Sequence, residues 1–265
     1  TAKYITESYD KAAFMTAARL ADVTEVSEST VVRFAQELGY GSDPAMRRAL
    51  GDVVRGRLTS VQRIQASHDM IVNVDIINHV LASDIEQIKM TLDEISYREF
   101  DSAVSSIVKA DNIYICGLRS SSALALFFGF YLNMIFENVN VVGEHSSLEV
   151  FEQIMHMTGD EVFIAMSFPR YSNMTIRTMR YARDMGATII GITDSTSSPA
   201  AHHADISLIA RSDMASFIDT LVAPLSVINA LIVAVSKQTE IDVTSRFEKL
   251  EGIWNEYGVY GENGR

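Results

Sequence analysis

From Asp111 onward the chain carries five short runs of almost unbroken apolar character, NIYICG, VNVVG, EVFIAMS, TIIGITD and DISLIA, separated by longer stretches with helical spacing. A strand with one face in water alternates apolar and polar residues, whereas a strand apolar throughout is covered on both faces. Such strands, alternating with helices, belong to a parallel sheet packed between helical layers. Residues 111–238 are therefore expected to form an α/β domain, a parallel five-stranded sheet flanked by helices with a flavodoxin-like or Rossmann-like layout. The intervening helices are expected at SSALALFFGFYLNMIFE, SSLEVFEQIMHM and NMTIRTMRYARDMG. SFIDTLVAPLSVINALIVAVSKQ should be a long closing helix, kinked or broken by Pro224 in its interior. Residues 239–265 add an amphipathic helix, Val243 to Tyr257, and a polar tail. Cys116 is the only cysteine; it lies in an apolar strand, so a buried inert thiol in a reducing cytoplasm is expected.

Residues 1–66 show no strand pattern and are expected to be all-α. Phe14, Met15, Ala18 and Leu20 mark one helix over Asp10 to Leu20; Val31, Val32, Phe34, Ala35 and Leu38 mark another, which Gly39 should stop. Pro44 should sit in the first turn of a third, Ala45 to Leu58. The chain opens inside a helical pattern, so a preceding piece is expected to be missing. Residues 67–110 read as two linking helices with an apolar stripe, expected to contribute to an oligomer contact. No run is long and apolar enough for the roughly 20 residues of a spanning helix, and no secretory leader is evident.

A net charge of −12 argues at first against a nucleic-acid binder. Its distribution reverses that. Residues 1–66 hold nine Lys or Arg against eight Asp or Glu, while residues 67–265 hold thirteen against twenty-six. The acidity belongs to the larger part, and the smaller one is free to approach phosphates. Within it, ARLADVTEVSESTVVRF (residues 18–34) reads as a short helix, a tight turn and a second helix opening with small hydroxyl residues, the pattern of a helix-turn-helix. Ser27 stands at the N-cap, and Glu28, Ser29, Thr30 and Arg33 occupy the side not used by Val31, Val32 and Phe34. Serine and threonine can contact phosphates or base edges, and Arg33 can fork onto a guanine or a phosphate. An ordinary surface helix pair, with Ser27 as a cap, fits the same residues.

Three successive strands end in hydroxyl-rich loops. Gly117 leads to Arg119, Ser120, Ser121 and Ser122; Ser167 leads through Phe168, Pro169, Arg170 and Tyr171 to Ser172; Thr193 and Asp194 lead to Ser195, Ser198 and Pro199. These loops share the carboxyl edge of a parallel sheet, where ligands bind, and a following helix N-terminus offers free N–H groups to an anion. Glu144, His145 and Glu149 follow the second strand; Glu144 and His145 are possible sugar contacts, and an aldose–ketose isomerase would take its base from a glutamate such as these. His202 and His203 read as solvated or capping residues, and the HHAD run lacks the third ligand cluster that a metal site needs. No metal or cofactor is expected.

VSESTVVRFAQELGY, followed by a proline and MRRAL, resembles the N-terminal domain of the RpiR family of bacterial regulators. Residues 110–237 resemble the sugar isomerase (SIS) domain that follows it there. The resemblance implies that Gly117 is the first-loop glycine, Ser121 a phosphate-binding serine, Ser167 the first serine of the second loop and Ser172 its closing hydroxyl. Four positions depart from the pattern. Glu25 and Arg119 stand where glycines are usual, and Pro169 and Arg170 replace a serine-glycine pair. Glu25 implies backbone strain if the turn keeps its left-handed geometry. Arg119 and Arg170 add guanidinium groups able to fork onto a phosphate or carboxylate. The implied protein is a cytoplasmic DNA-binding regulator, not an enzyme. It would act as a homo-oligomer, dimer or tetramer, on double-stranded operator DNA, under control of a phosphorylated or acidic sugar. Ligand contacts are expected from Gly117, Arg119, Ser120, Ser121, Ser167, Arg170, Ser172 and Asp194. The alternatives are a sugar-phosphate isomerase with a vestigial N-terminal segment, or a sensor acting on a protein partner.

Overall fold

In the computed structural model, residues 1–13, 15–55, 58–71, 75–143, 149–214 and 218–260 are described. Contacts divide the chain into two units, Thr1–Gln87 with Ser212–Leu221, and Ile88–Arg211 with Val222–Arg265.

The first unit is helical: α1 (Ala2–Glu7), α2 (Tyr9–Ala12), α3 (Ala17–Val23), α4 (Glu28–Glu37), α5 (Asp43–Arg55), α6 (Ser60–Ile71) and the first part of α7 (Ile76–Glu94). The helix expected over residues 10–20 is two helices, because the chain leaves helical geometry between Ala12 and Ala17, where Thr16 caps α3 by accepting from the Arg19 N–H. Phe14 lies outside the described residues. Ala12, Leu20, Ala21 and Val31 form the core of this unit, with Met15, Val26 and Leu50 packed against them. Val32 and Leu38, expected with the apolar face of α4, are instead exposed, 37% and 55%. Only Val31 and Ala35, one turn apart, point fully inward. Pro44 sits in the first turn of α5, as the sequence implies.

The second unit holds the rest of α7, then α8 (Tyr97–Lys109), β1 (Ile113–Gly117), α9 (Ser122–Ile135), β2 (Val139–Val142), β3 (Val162–Met166), α10 (Asn173–Asp184), β4 (Thr188–Thr193), α11 (Pro199–His202), β5 (Ile206–Ile209), α12 (Val222–Gln238) and α13 (Val243–Tyr257). The five strands are all parallel in the order β2-β1-β3-β4-β5. β1 and β3 are buried at every position, as continuous apolar strands require. Successive residues face opposite sides of the sheet. Cys116 meets Thr178 of α10 on one side, while Ile115 and Val141 lie under α9 on the other, where Gly129 leaves no room for a Cβ against Val141.

Two expected helices differ. Residues 150–156 form consecutive turns rather than a helix, with Ile154 fully buried beneath them. They are tied back by Gln153, whose amide donates to the Gly143 carbonyl and accepts from the Gly143 N–H, both at 3.0 Å. The closing helix starts only at Val222, so Pro224 falls in its first turn and no interior kink arises. A missing N–H is harmless there, because first-turn amides have no intrahelical acceptor. Among the described residues no single helix is long and apolar enough to cross a membrane.

Candidate functional site

The turn between α3 and α4 closes like a helix end that normally ends in glycine. The Val26 N–H donates to the Ala21 carbonyl at 3.0 Å and its side chain packs into the core, while Glu25 takes the left-handed position with φ 52°. Gly39 does the same after α4, with φ 88°. The left-handed geometry is thus kept at Glu25 without glycine. Ser27 caps α4, accepting from the Thr30 N–H, and its hydroxyl lies 2.8 Å from that of Ser29 and 2.9 Å from that of Thr30. Ser27, Glu28, Ser29 and Arg33 are exposed and Thr30 half-buried. Small hydroxyls at an open helix start, with an arginine one turn on, can reach into a groove and contact phosphate or base.

The second site follows from topology. β1 and β3 are neighbours, Gly117 level with Met166, yet β1 leaves through α9 on one face and β3 through α10 on the other. Chains parting to opposite faces open a crevice at the carboxyl edge, the switch point where open parallel sheets bind ligands. Both expected loops border it. Gly117 turns so tightly that a Cβ would strike the Ser121 carbonyl. Arg119 adopts φ 56°, the left-handed geometry of the glycine it replaces, in a single 3-10 turn, Arg119–Ser121. Ser120 is exposed; Ser121, at the start of α9, is 4% exposed, and its side chain makes no capping bond. Ser122 instead donates back to the Arg119 carbonyl at 2.6 Å.

Ser167 is 2% exposed. Its N–H donates to the Ile192 carbonyl, its carbonyl accepts from the Thr193 hydroxyl at 2.7 Å, and its own hydroxyl is buried without a partner. The Thr175 hydroxyl, in the first turn of α10, is buried and unpartnered too. Orphaned buried hydroxyls are costly, and two of them at one loop point to a group that completes them. Ser172 caps α10, accepting from the Thr175 N–H at 3.4 Å, and Arg170 is exposed.

Asp194, 4% exposed, accepts from the Tyr171 hydroxyl at 3.0 Å and lies 3.2 Å from that of Thr193. Ser198, capping α11, holds the Thr193 hydroxyl at 2.9 Å. The third loop is thereby fastened to the second. Tyr171 and Thr175 were not singled out from the sequence; their only signal is their place beside Ser172.

Glu144 and His145 lie outside the described residues, and Glu149 is exposed. His202 and His203 end α11 and precede β5, at the amino edge, away from these loops. His203 accepts from the Arg180 guanidinium, 3.1 Å from Nη2, and burial, then Arg180, Arg183 and His202, hold its pKa below the usual imidazole value. Burial pushes the Cys116 thiol up to about 12, which keeps it protonated and inert. No group of three metal-ligating side chains occurs among the described residues. A hollow of about 750 Å3, lined by Lys109, Asp111, Asn138 and Arg246, also lies at the amino edge.

Residues 106–234 match the SIS domain model. The HTH-type transcriptional regulator HexR of Pseudomonas aeruginosa is 24% identical over 261 residues, 94% of this chain and 87% of that protein. The sugar isomerase domain of an RpiR transcription factor from Sphaerobacter thermophilus superimposes with a TM-score of 0.61 at 25% identity, covering 65% of this chain and 96% of that one. Vibrio vulnificus NanR, complexed with ManNAc-6P, shares the fold over 97% of this chain and 91% of that one, with a TM-score of 0.63 at 17% identity. Putative sugar-phosphate isomerases share the fold of the second unit as well. The chain thus carries a SIS domain behind a helical N-terminal region and is similar along most of its length to HTH-type transcriptional regulators.

Proposed function

We propose that this chain is a bacterial, cytoplasmic transcriptional regulator. Its helix-turn-helix binds operator DNA, and its SIS domain binds a phosphorylated or acidic sugar that changes DNA affinity. One observation carries the ligand half: the buried, unpartnered Ser167 hydroxyl at the β1/β3 switch point, beside a second orphan on Thr175 and the N-terminus of α10. The similarity over nearly the whole chain to HexR, an HTH-type transcriptional regulator, and the ManNAc-6P bound by NanR support the same reading. Ser121, Ser167 and Ser172 would donate hydrogen bonds, with Gly117 and Ser120 shaping the first loop. Arg119 and Arg170 would supply charge, and Asp194 would accept from a sugar hydroxyl. Ser27, Glu28, Ser29, Thr30 and Arg33 would face the DNA. Paired recognition helices call for a homo-oligomer on a two-fold operator. The two ligands then modulate each other through one coupling free energy.

The isomerase fold-mates raise an enzyme reading, which this chain supports less. Glu149 is exposed, and the His202–His203 pair sits at the wrong edge of the sheet.

A thermal-shift panel of sugar phosphates and sugar acids tests the ligand half, since a ligand that binds only the folded state raises Tm. The hit is then titrated into a complex of the full chain with DNA from upstream of its own gene. A selective rise in Tm with altered DNA affinity is expected. Turnover of the hit with no effect on DNA binding would sink the regulator reading.

A further inference from the structure

The third hydroxyl-rich loop opens with a buried carboxylate, an odd neighbour for a site built to hold an anion. Asp194 is 4% exposed. The Thr193 hydroxyl bridges it to the second loop, 3.2 Å from Asp194 Oδ1 and 2.7 Å from the Ser167 carbonyl oxygen. Like charges in one water-poor site repel strongly. The carboxylate therefore cannot serve the anionic end of a ligand seated on Ser167. It suits the other end, where it accepts hydrogen bonds from hydroxyl or amino groups.

Counting protons shows what fixes that carboxylate. The Thr193 hydroxyl has one proton and three acceptors in reach: the Ser167 carbonyl at 2.7 Å, the Ser198 hydroxyl at 2.9 Å and Asp194 Oδ1 at 3.2 Å. The shortest bond takes it, so Thr193 serves the Ser167 carbonyl. The Tyr171 hydroxyl donates to Asp194 itself, 3.0 Å from Oδ1 and 3.3 Å from Oδ2. A hydrogen bond to an ionised acceptor is about twice as strong as one between neutral groups. The phenol ring is a rigid spacer, so it holds its hydroxyl at little entropic cost. Its base is set one residue on, where Ser172 caps α10. The main chain beside Asp194 needs no such help, because the Thr193 carbonyl accepts from the Ala210 N–H at 2.8 Å and the Ser167 N–H donates to the Ile192 carbonyl. Tyr171 thus sets the side chain of Asp194 rather than the course of the loop.

We propose that Tyr171 determines the specificity of this site: it is a positioning residue that aims Asp194 at the hydroxyl or amino groups of the sugar, while other side chains hold the anionic end. On the sugar-binding reading of the site, on which this depends, the effector is narrowed to a sugar with one anionic end, whose other end carries donors rather than a second acid group.

The test is isothermal titration of the full chain with inorganic phosphate, which reports the anionic end alone, and with a panel of hexose, hexosamine and pentose phosphates. Tyr171→Phe keeps the ring and removes only the hydroxyl. It should weaken the tightest sugar phosphate about tenfold, draw the affinities of the panel together, and change phosphate affinity less than about twofold. Asp194→Asn keeps an oxygen able to accept from Tyr171 and loses the charge, and it should narrow the panel at least as far. Because Tyr171 acts through Asp194, the double variant should bind the sugar phosphate no more weakly than Asp194→Asn alone. Additive losses would overturn the proposal, as would a Tyr171→Phe protein that keeps the wild-type order and spread of affinities. Equal losses for phosphate and sugar phosphate would mean that Tyr171 only braces the loops, which overturns it too. A wild type that binds neither phosphate nor any sugar phosphate would refute the sugar-binding reading itself, and the proposal with it.

Discussion

Replacing Ser167 with alanine should move stability and ligand affinity in opposite directions. The backbone of Ser167 is fully engaged, its N–H with the Ile192 carbonyl and its carbonyl with the Thr193 hydroxyl, so the substitution removes only an oxygen. That oxygen is buried without a partner. An orphaned buried hydroxyl costs about 1–3 kcal/mol, of which the smaller methyl surface of alanine recovers part, so the unliganded variant should be more stable by up to about 1 kcal/mol. For a chain of this size that is a rise in Tm of about 2 °C. With an anion bound, the same hydroxyl donates to a charged acceptor, worth about 1.5–3 kcal/mol, so affinity should fall roughly 10- to 150-fold. Scanning calorimetry of the unliganded proteins and isothermal titration with the sugar phosphate that stabilises the wild type read the two effects separately. A lower Tm for the unliganded variant would show that the hydroxyl is satisfied in the folded protein. Equal affinity would remove Ser167 from the binding site.

Further outcomes follow from single contacts. Arg33→Ala should weaken operator binding at least tenfold and leave sugar binding intact; if Arg33 contacts a phosphate, the slope of log affinity against log salt falls by about one in a mobility-shift series. Arg170→Ala should weaken the sugar response about tenfold without changing DNA affinity of the unliganded protein, and an unchanged response would take Arg170 out of the site. Glu25→Gly should stabilise the protein by about 0.5 kcal/mol, since relief of the left-handed strain outweighs the greater chain entropy of glycine; Glu25→Val should destabilise it, and chemical denaturation distinguishes the two. His203 has a depressed pKa, so below about pH 6.5 the unfolded chain binds more protons at this site than the folded one, and its contribution to stability declines as pH falls. Melting curves from pH 7.5 to 5 should show a shallower decline for His203→Gln.

Local structure was legible in this sequence where the cause was local. The five strands follow from apolar runs that only a doubly covered sheet can use, and their order along the edge made the three hydroxyl-rich loops neighbours in advance. The cap at Ser27 was equally plain, because a small hydroxyl stands there where a helix has orphan N–H groups. Glu25 could be marked as a strained position, since the resemblance places a glycine there, and its φ of 52° keeps the left-handed geometry.

Other features depended on distant partners. Residues 150–156 have helical spacing yet form turns, held by a two-way bond from Gln153 to Gly143 that no local pattern reveals. Pro224 reads as a helix breaker until the helix is seen to begin two residues before it. Val32 and Leu38 look like core and are exposed, because the neighbouring helices cover only the Val31–Ala35 side of α4. Periodicity names the apolar residues of a helix; only the fold decides which of them find cover. The same holds for Ser167. Its residue type and loop could be read from the chain, but burial of its hydroxyl without a partner arises only when β1, β3 and β4 close around it.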